Sequence, residues 1–254
     1  HYPLRRQRQM CIRDSLNKYI FNFIQKEYYV SKSRLKIAKN IIDINRFSPL
    51  KDKSQIIELR KSLNLPLKNK IILYAGYLNE RKGLDLLIEL GVYLKKKYEN
   101  ISLVAIGDKH NVKIFGSNDK NNNLLSLEFD KLIDGNIIIH HNYQSNIDEY
   151  FYCSDLLFHP SKKEGNPNVV LEAMSAGLPV LSTVFEGYSE EIGLHNENLF
   201  LSDGDTEHIK KDVIALLNDT NKINKFSISS RKNMEQYHKD ALRENLELFI
   251  GSSD

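Results

Sequence analysis

The sequence predicts an α/β fold: a parallel sheet with helices on both of its faces. Three observations lead there. Short apolar runs alternate with longer helical patterns from about residue 53 to residue 217, the mark of strands joined by crossover helices. The apolar runs are nearly unbroken Ile, Val and Leu, as in strands buried on both faces. The chain's 254 residues suffice for one large or two small hydrophobic cores.

The elements are expected in the following order. A helix over Lys53–Leu63 leads to a strand at Lys70–Gly76 (KIILYAG) and a helix at Leu84–Lys97. The second strand is Ile101–Gly107 (ISLVAIG), and the polar run Gly116–Asn123 (GSNDKNNN) reads as a surface loop. A third strand, Asn136–His141 (NIIIHH), precedes a helix at Asn146–Tyr152. Then come a strand at Asp155–His159, a helix at Pro167–Ala176 and a strand at Pro179–Thr183. A short strand at Leu199–Leu201 and a helix at Thr206–Leu217 close the pattern. A last helical stretch, Ile228–Phe249, is polar with scattered apolar anchors.

The richest stretch for function is EGNPNVVLE, bracketed by Glu164 and Glu172. Asn166 suits an N-cap and Pro167 the first helical position, where a missing N–H costs nothing. The amides of Asn168, Val169 and Val170 would then be unpaired donors at the positive end of a helix, a seat for phosphate. Gly165 lets the incoming backbone approach a ligand closely. Carboxylates do not bind phosphate, so Glu164 and Glu172 would hold something hydroxylated on either side of it. A sugar, a diphosphate and a ribose in a row fit that description. The bare spacing alone is also met by a helix whose carboxylates merely support its first turns.

The run from His159 to Thr183 resembles the E-x7-E region of retaining GT-B glycosyltransferases, in particular family 4 (glycosyl transferases group 1). The surrounding residues, G-x-P-N before the second Glu and E-A-M-x-x-G-x-P-V after it, carry the resemblance with the spacing. It implies a Rossmann-like sheet that is the C-terminal, donor-binding half of a GT-B fold. It gives Glu164 contacts to hydroxyls of the donor sugar and Glu172 the ribose of the nucleotide. It implies no cofactor and no metal, with a nucleoside-diphosphate sugar of the UDP or GDP type as substrate. The activity implied is retaining transfer of that sugar to an acceptor hydroxyl, with same-face attack and the departing phosphate taking the acceptor's proton. Family context points to cell-surface polysaccharide or lipopolysaccharide synthesis and a glycan or lipid-linked acceptor.

The second half of the site is expected in GYLNERKG, Gly76–Gly83, after the first strand. The family pattern there is G-R-L-x-x-x-K-G, whose Arg and Lys clamp the donor diphosphate. Gly76 and Lys82 match; Tyr77 stands in place of the Arg and carries no charge near neutral pH. Arg81 is a candidate substitute, although a surface arginine is the simpler reading, and Lys82 has the alternative of a solvated lysine at a helix start. Asn142 and Tyr143, after the third strand, are assigned to the base pocket, with a packed loop as the alternative. NIIDINRFSP (Asn40–Pro49) resembles the family's interdomain linker N-G-V-D-x-x-x-F-x-P, with Ile41 in place of Gly. EYYVSKS, ahead of it, matches the closing strand and turn of the preceding acceptor-binding domain, of which residues 16–49 would be a remnant with the linker. The donor domain is then expected over 50–225, followed by a helical segment over 226–254.

Residues 5 to 14, RRQRQMCIRD, translate a transposase-type sequencing-library adapter codon by codon, so residues 1–15 are set aside as an artefact of sequencing. The alternative is a basic tail or targeting segment. The formal net charge is +3, and residues 1–15, with four arginines and one aspartate, account for all of it. The rest is neutral overall, so no nucleic-acid partner is expected. Of the two cysteines Cys11 goes with that segment, and Cys153 alone suits a reducing, cytoplasmic setting. No apolar run approaches the roughly 20 residues of a bilayer-spanning helix, and peripheral association with the inner face of the membrane is expected only through the acceptor half. His140, His141, His159 and Cys153 show no metal-ligand spacing. P-loop, G-x-G-x-x-G and G-x-S-x-G signatures are absent. Two other classes stay in view: a sugar-nucleotide epimerase, whose family shares the two-domain fold but lacks EGxPNVVLEAM, and a non-catalytic nucleotide-sugar-binding fragment.

Overall fold

A computed structural model of the chain describes residues 13–15, 17–32, 35–37, 39–50, 52, 54–108 and 119–240. Its centre is a six-stranded, wholly parallel sheet. A two-stranded sheet precedes it: β1 (Arg13–Ser15) pairs in parallel with β2 (Leu35–Ile37), linked by helix α1 (Lys18–Tyr28). Part of the segment set aside at the N-terminus therefore has a place in the structure, while residues 1–12 lie outside the described ones. The strand matched to EYYVSKS does not form over the described residues: Glu27 and Tyr28 finish α1, and Tyr29 caps it in the left-handed region at φ 52°.

The main sheet follows the expected alternation. Helix α2 (Gln55–Ser62) leads to β3 (Lys70–Ala75), α3 (Leu84–Lys97), β4 (Ile101–Ile106), α4 (Asp119–Asp134) and β5 (Ile138–His141). Then come α5 (Ile147–Tyr152), β6 (Leu156–His159), α6 (Asn168–Ser175), β7 (Val180–Thr183), β8 (Phe200–Ser202), α7 (Thr206–Asn218) and α8 (Thr220–Met234). Two expectations are corrected. From Asp119 onward the asparagine-rich run is the first turn of α4, not a loop, because Leu125, Phe129 and Leu132 give it an apolar stripe against the sheet; residues 116–118 lie outside the described ones. The closing helix starts at Thr220 rather than Ile228, capped by the Asp219 side chain, and passes into a 3-10 turn at Glu235–Tyr237; residues from 241 on lie outside the described ones.

Strand side chains alternate between two cores, one on each face of the sheet. Ile71, Leu73, Val104 and Ile106 face α5, α6 and the end of α8. Ile72, Tyr74, Leu103 and Ala105 face α3, α4 and α7. This two-sided burial is why the strand sequences are continuously apolar. Sheet order is β5-β4-β3-β6-β7-β8. The chain runs outward from β3 to β5, then returns to start again at β6 on the other side of β3. Between β3 and β6 the carboxyl ends of the strands open a crevice where open α/β sheets bind ligands. No described helix is long and apolar enough to cross a membrane.

Candidate active site

A cleft of about 550 Å³ lies at that crevice. The ends of β3 and β4 form its floor, with the end of β5 bonded alongside. The amide of Gly76 donates to the Ile106 carbonyl at 2.9 Å, and that of Gly107 to the His141 carbonyl at 3.0 Å. Gly107 sits at φ +148°, and a Cβ there would collide with the Gly76 carbonyl oxygen, so only glycine lets β3 and β4 converge at the cleft.

Of the residues expected in the site, Gly76, Tyr77, Lys82, Tyr143, Glu164, Asn168, Val169 and Glu172 all line this one cleft. Arg81, Asn142, Gly165 and Val170 are not among its lining residues. Arg81 turns to the Lys163 carbonyl, 2.8 Å from Nη1, and approaches Glu164 Oε2 at 3.7 Å. Val170 is buried, and its amide donates to the Pro167 carbonyl at 3.0 Å. The helix starts one residue later than expected: Pro167 is the N-cap, in extended backbone, and Asn166 makes no cap bond. Asn168 and Val169 are thus the amides that find no acceptor among the described residues, two where three were expected.

Lys82 reaches the site from a 3-10 turn, Glu80–Lys82, whose Asn79 side chain accepts its amide at 3.0 Å. Its Nζ meets Glu164 Oε1, which also accepts from Ser161 Oγ at 2.7 Å. Only 8% of the Glu164 side chain is exposed. Burial pushes its carboxyl up, but His159, Lys82 and Ser161 together hold it well below the usual range, at about 2. His159 acts at longer range: its Nε2 lies 3.6 Å from Oε1, too far for a hydrogen bond. Burial holds that imidazole below its ordinary value, against the pull of Glu164.

Because the Glu164 carboxyl titrates lower in the fold than in the unfolded chain, its stabilisation is complete above the ordinary value of 4.5 and is lost as pH falls toward about 2. The amount is on the order of 3 kcal/mol. Denaturant midpoints followed from pH 6 to about pH 3 should therefore fall, and Glu164→Gln should lack part of that fall. Equal acid slopes in the two proteins would contradict the assignment.

Glu172 is half-buried on α6, which pushes its carboxyl up; Arg46 pulls it back and Asp148 opposes Arg46. Arg46, Phe47, Asp108, Gln144 and Ser145 also line the cleft, and none was singled out in the sequence. Arg46 bonds Asp148 at 2.7 Å and stacks over the Phe47 ring, 4.9 Å from its centroid. An arginine beside a phenylalanine in the linker-like NRFSP run was the available signal. The charged lining residues are two cations, Arg46 and Lys82, and three anions, Asp108, Glu164 and Glu172. Any phosphate bound here would draw on the α6 amides, Lys82 and Arg46, the last already paired with Asp148. Among the described residues no group of three or more His, Cys, Asp or Glu is placed to hold a metal ion.

The family model for glycosyl transferases group 1 matches residues 55–239. The chain belongs to that family. An uncharacterized glycosyltransferase of Haemophilus influenzae is 30% identical to it over 202 residues, which is 79% of this chain and 52% of that protein. The N,N'-diacetylbacillosaminyl-diphospho-undecaprenol alpha-1,3-N-acetylgalactosaminyltransferase of Campylobacter jejuni is 26% identical over 245 residues, 91% of this chain and 59% of that one. The chain thus spans just over half the length of these curated relatives. The crystal structure of Anabaena Alr3699/HepE in complex with UDP and glucose superposes with a TM-score of 0.77 at 21% identity, covering 94% of this chain and 62% of that one. At that identity the likeness concerns the fold: the group 1 chain carries the Rossmann-like α/β sheet of GT-B glycosyltransferases.

Proposed function

We propose that this chain is the donor-binding domain of a retaining family 4 glycosyltransferase, the C-terminal half of a GT-B enzyme. It takes a sugar from a nucleoside diphosphate of the UDP or GDP type for transfer to the hydroxyl of a glycan or lipid-linked acceptor. The setting proposed is synthesis of cell-surface polysaccharide or lipopolysaccharide at the inner face of the membrane. One observation carries the reading: Glu164, Glu172 and the amide-bearing start of α6 line a single cleft with Lys82, at the switch point of the sheet.

The chemistry follows from charge. Breaking the anomeric bond leaves negative charge on the diphosphate, and Lys82 with the Asn168 and Val169 amides would meet it. Preorganised donors of this kind often contribute more to rate enhancement than any other single effect. Glu164, kept ionised, accepts hydrogen bonds from sugar hydroxyls, and Glu172 accepts from the ribose. The Haemophilus and Campylobacter relatives, named as glycosyltransferases, support the transfer reading, and the Anabaena complex supports UDP as the nucleotide. The proposed organisation is residues 16–49 as the end of an acceptor domain and linker, followed by the donor domain from residue 50, with the closing helical segment beginning at Thr220, where α8 starts, rather than at 226. Saturable binding of UDP or GDP that Glu172→Ala removes is the expected result. A chain that binds neither nucleotide sinks the proposal.

A further inference from the structure

Asn17, at the start of α1, lies outside the residues matched by the family and outside the cleft. It is nevertheless 2% exposed, and both polar atoms of its side chain are engaged. Its Oδ1 accepts from the Ile20 amide at 2.9 Å, the ordinary work of an N-cap. Its Nδ2 does something a cap does not require. It donates to the Gly165 carbonyl at 2.5 Å and to the Gly187 carbonyl at 3.1 Å. Aspartate or serine would cap the helix as well; the pair of donated bonds is what an asparagine adds.

The two carbonyls belong to the turns that carry Glu164. Gly165 is the next residue. Gly187, at φ +102°, packs so closely that a Cβ on it would fall on the Glu164 carbonyl oxygen. The Glu164 amide donates to the Glu186 carbonyl at 2.9 Å, and the Glu186 amide donates in turn to the Lys162 carbonyl at 2.9 Å. Alongside, the Lys18 amide donates to Glu191 Oε2 at 3.2 Å. The backbone under Glu164 is therefore held on one side by residues 186–187 and closed across both turns by Asn17.

We infer that Asn17 is a positioning residue, whose carboxamide clamps the Gly165 and Gly187 turns and so fixes the carboxylate of Glu164 against Lys82 and Ser161. The inference rests on the role proposed for Glu164 and adds the residue that sets its place. The charged or titratable groups around that carboxylate are Lys82 and Arg81 from the β3–α3 connection, His159 from β6 and the buried Tyr74 hydroxyl from β3. Loosening the turns withdraws it from Lys82 and Ser161 and raises the pH at which it takes up a proton.

The test is carbon NMR of ¹³C-labelled glutamate carboxyls in the full chain, from about pH 7 to about pH 4, with Glu164 assigned through Glu164→Gln. Asn17→Asp keeps the cap and the size but can donate to neither carbonyl; Asn17→Ser is the milder companion should the aspartate prevent folding. In the parent, Glu164 is expected to stay ionised throughout. In the variants it should take up a proton within the scanned range, a rise of about two units or more, while the Glu172 resonance in the same spectra keeps its titration. An unmoved Glu164 midpoint overturns the inference, as does an equal shift of Glu164 and Glu172, which would mark a general loosening. UDP titration of the parent chain runs alongside: its failure would count against the donor-binding reading and leave the clamp standing, and the reverse outcome would do the opposite.

Discussion

Replacing Lys82 with Met is expected to destabilise the domain by about 3 kcal/mol and to weaken UDP binding by about tenfold or more. The stability loss comes from Glu164. With 8% of its side chain exposed, this carboxylate loses the nearest cation among the described residues, while Arg81 stays at 3.7 Å and turned toward the Lys163 carbonyl. Ser161, with Arg81 and His159 both beyond hydrogen-bond distance, does not offset that loss. The binding loss is separate, because the second clamp position holds Tyr77, which leaves Lys82 as the matched cation beside the α6 amides. A double variant separates the two effects. Lys82→Met with Glu164→Gln removes both charges and should return to within about 1 kcal/mol of the parent, with UDP binding still weak. Denaturant unfolding and calorimetric titration read the two quantities. A Lys82→Met chain that keeps both stability and affinity would refute the pair's dual role.

Arg231→Met should cost about 3 kcal/mol as well, for a different reason. One nitrogen of Arg231, on α8, lies 2.8 Å from the Ile44 carbonyl, 2.9 Å from the Phe47 carbonyl and 2.9 Å from the Ser175 carbonyl. It also meets Ser175 Oγ at 2.8 Å, and that hydroxyl donates to the Phe47 carbonyl at 2.7 Å. The guanidinium thereby ties the linker-like segment to the end of α6. Removal leaves several part-buried carbonyls short of a donor, and each such loss is expensive. Because the same segment carries Arg46 and Phe47 into the cleft, nucleotide affinity should fall with stability. Because a single nitrogen makes these contacts, Arg231→Lys, which keeps one charged nitrogen with three N–H donors on a shorter stem, should recover part of the loss. A Tm and an affinity both unchanged in Arg231→Met would show that the linker is held by other contacts.

Much of the fold was legible because burial on two faces leaves a plain trace. Helix α3 has the expected bounds, since its apolar period opens at Leu84 and closes in three lysines suited to a helix C-terminus. Helix α4 was hidden because its first turn is Asn-rich and its stripe becomes visible only from Leu125 onward. The N-cap shift at α6 could not be read from residue types, since proline fits both positions and the choice depends on ψ, 92° at Pro167. Site residues in one motif, such as Glu164, Asn168 and Glu172, stood out together. Arg46 and Asn17 did not, because they reach the site through tertiary packing from segments far away in the chain.

The central claim is that the Glu164–Glu172 stretch forms a seat for a sugar, a diphosphate and a ribose in that order. It is tested most directly by calorimetric titration of the chain with uridine, UMP and UDP, in parent and Glu172→Ala forms. Affinity should rise with each phosphate as the α6 amides and Lys82 come into use, and Glu172→Ala should weaken all three ligands through the ribose they share. If the three bind alike, or Glu172→Ala binds UDP as the parent does, the nucleotide does not sit at the start of α6 and the claim fails.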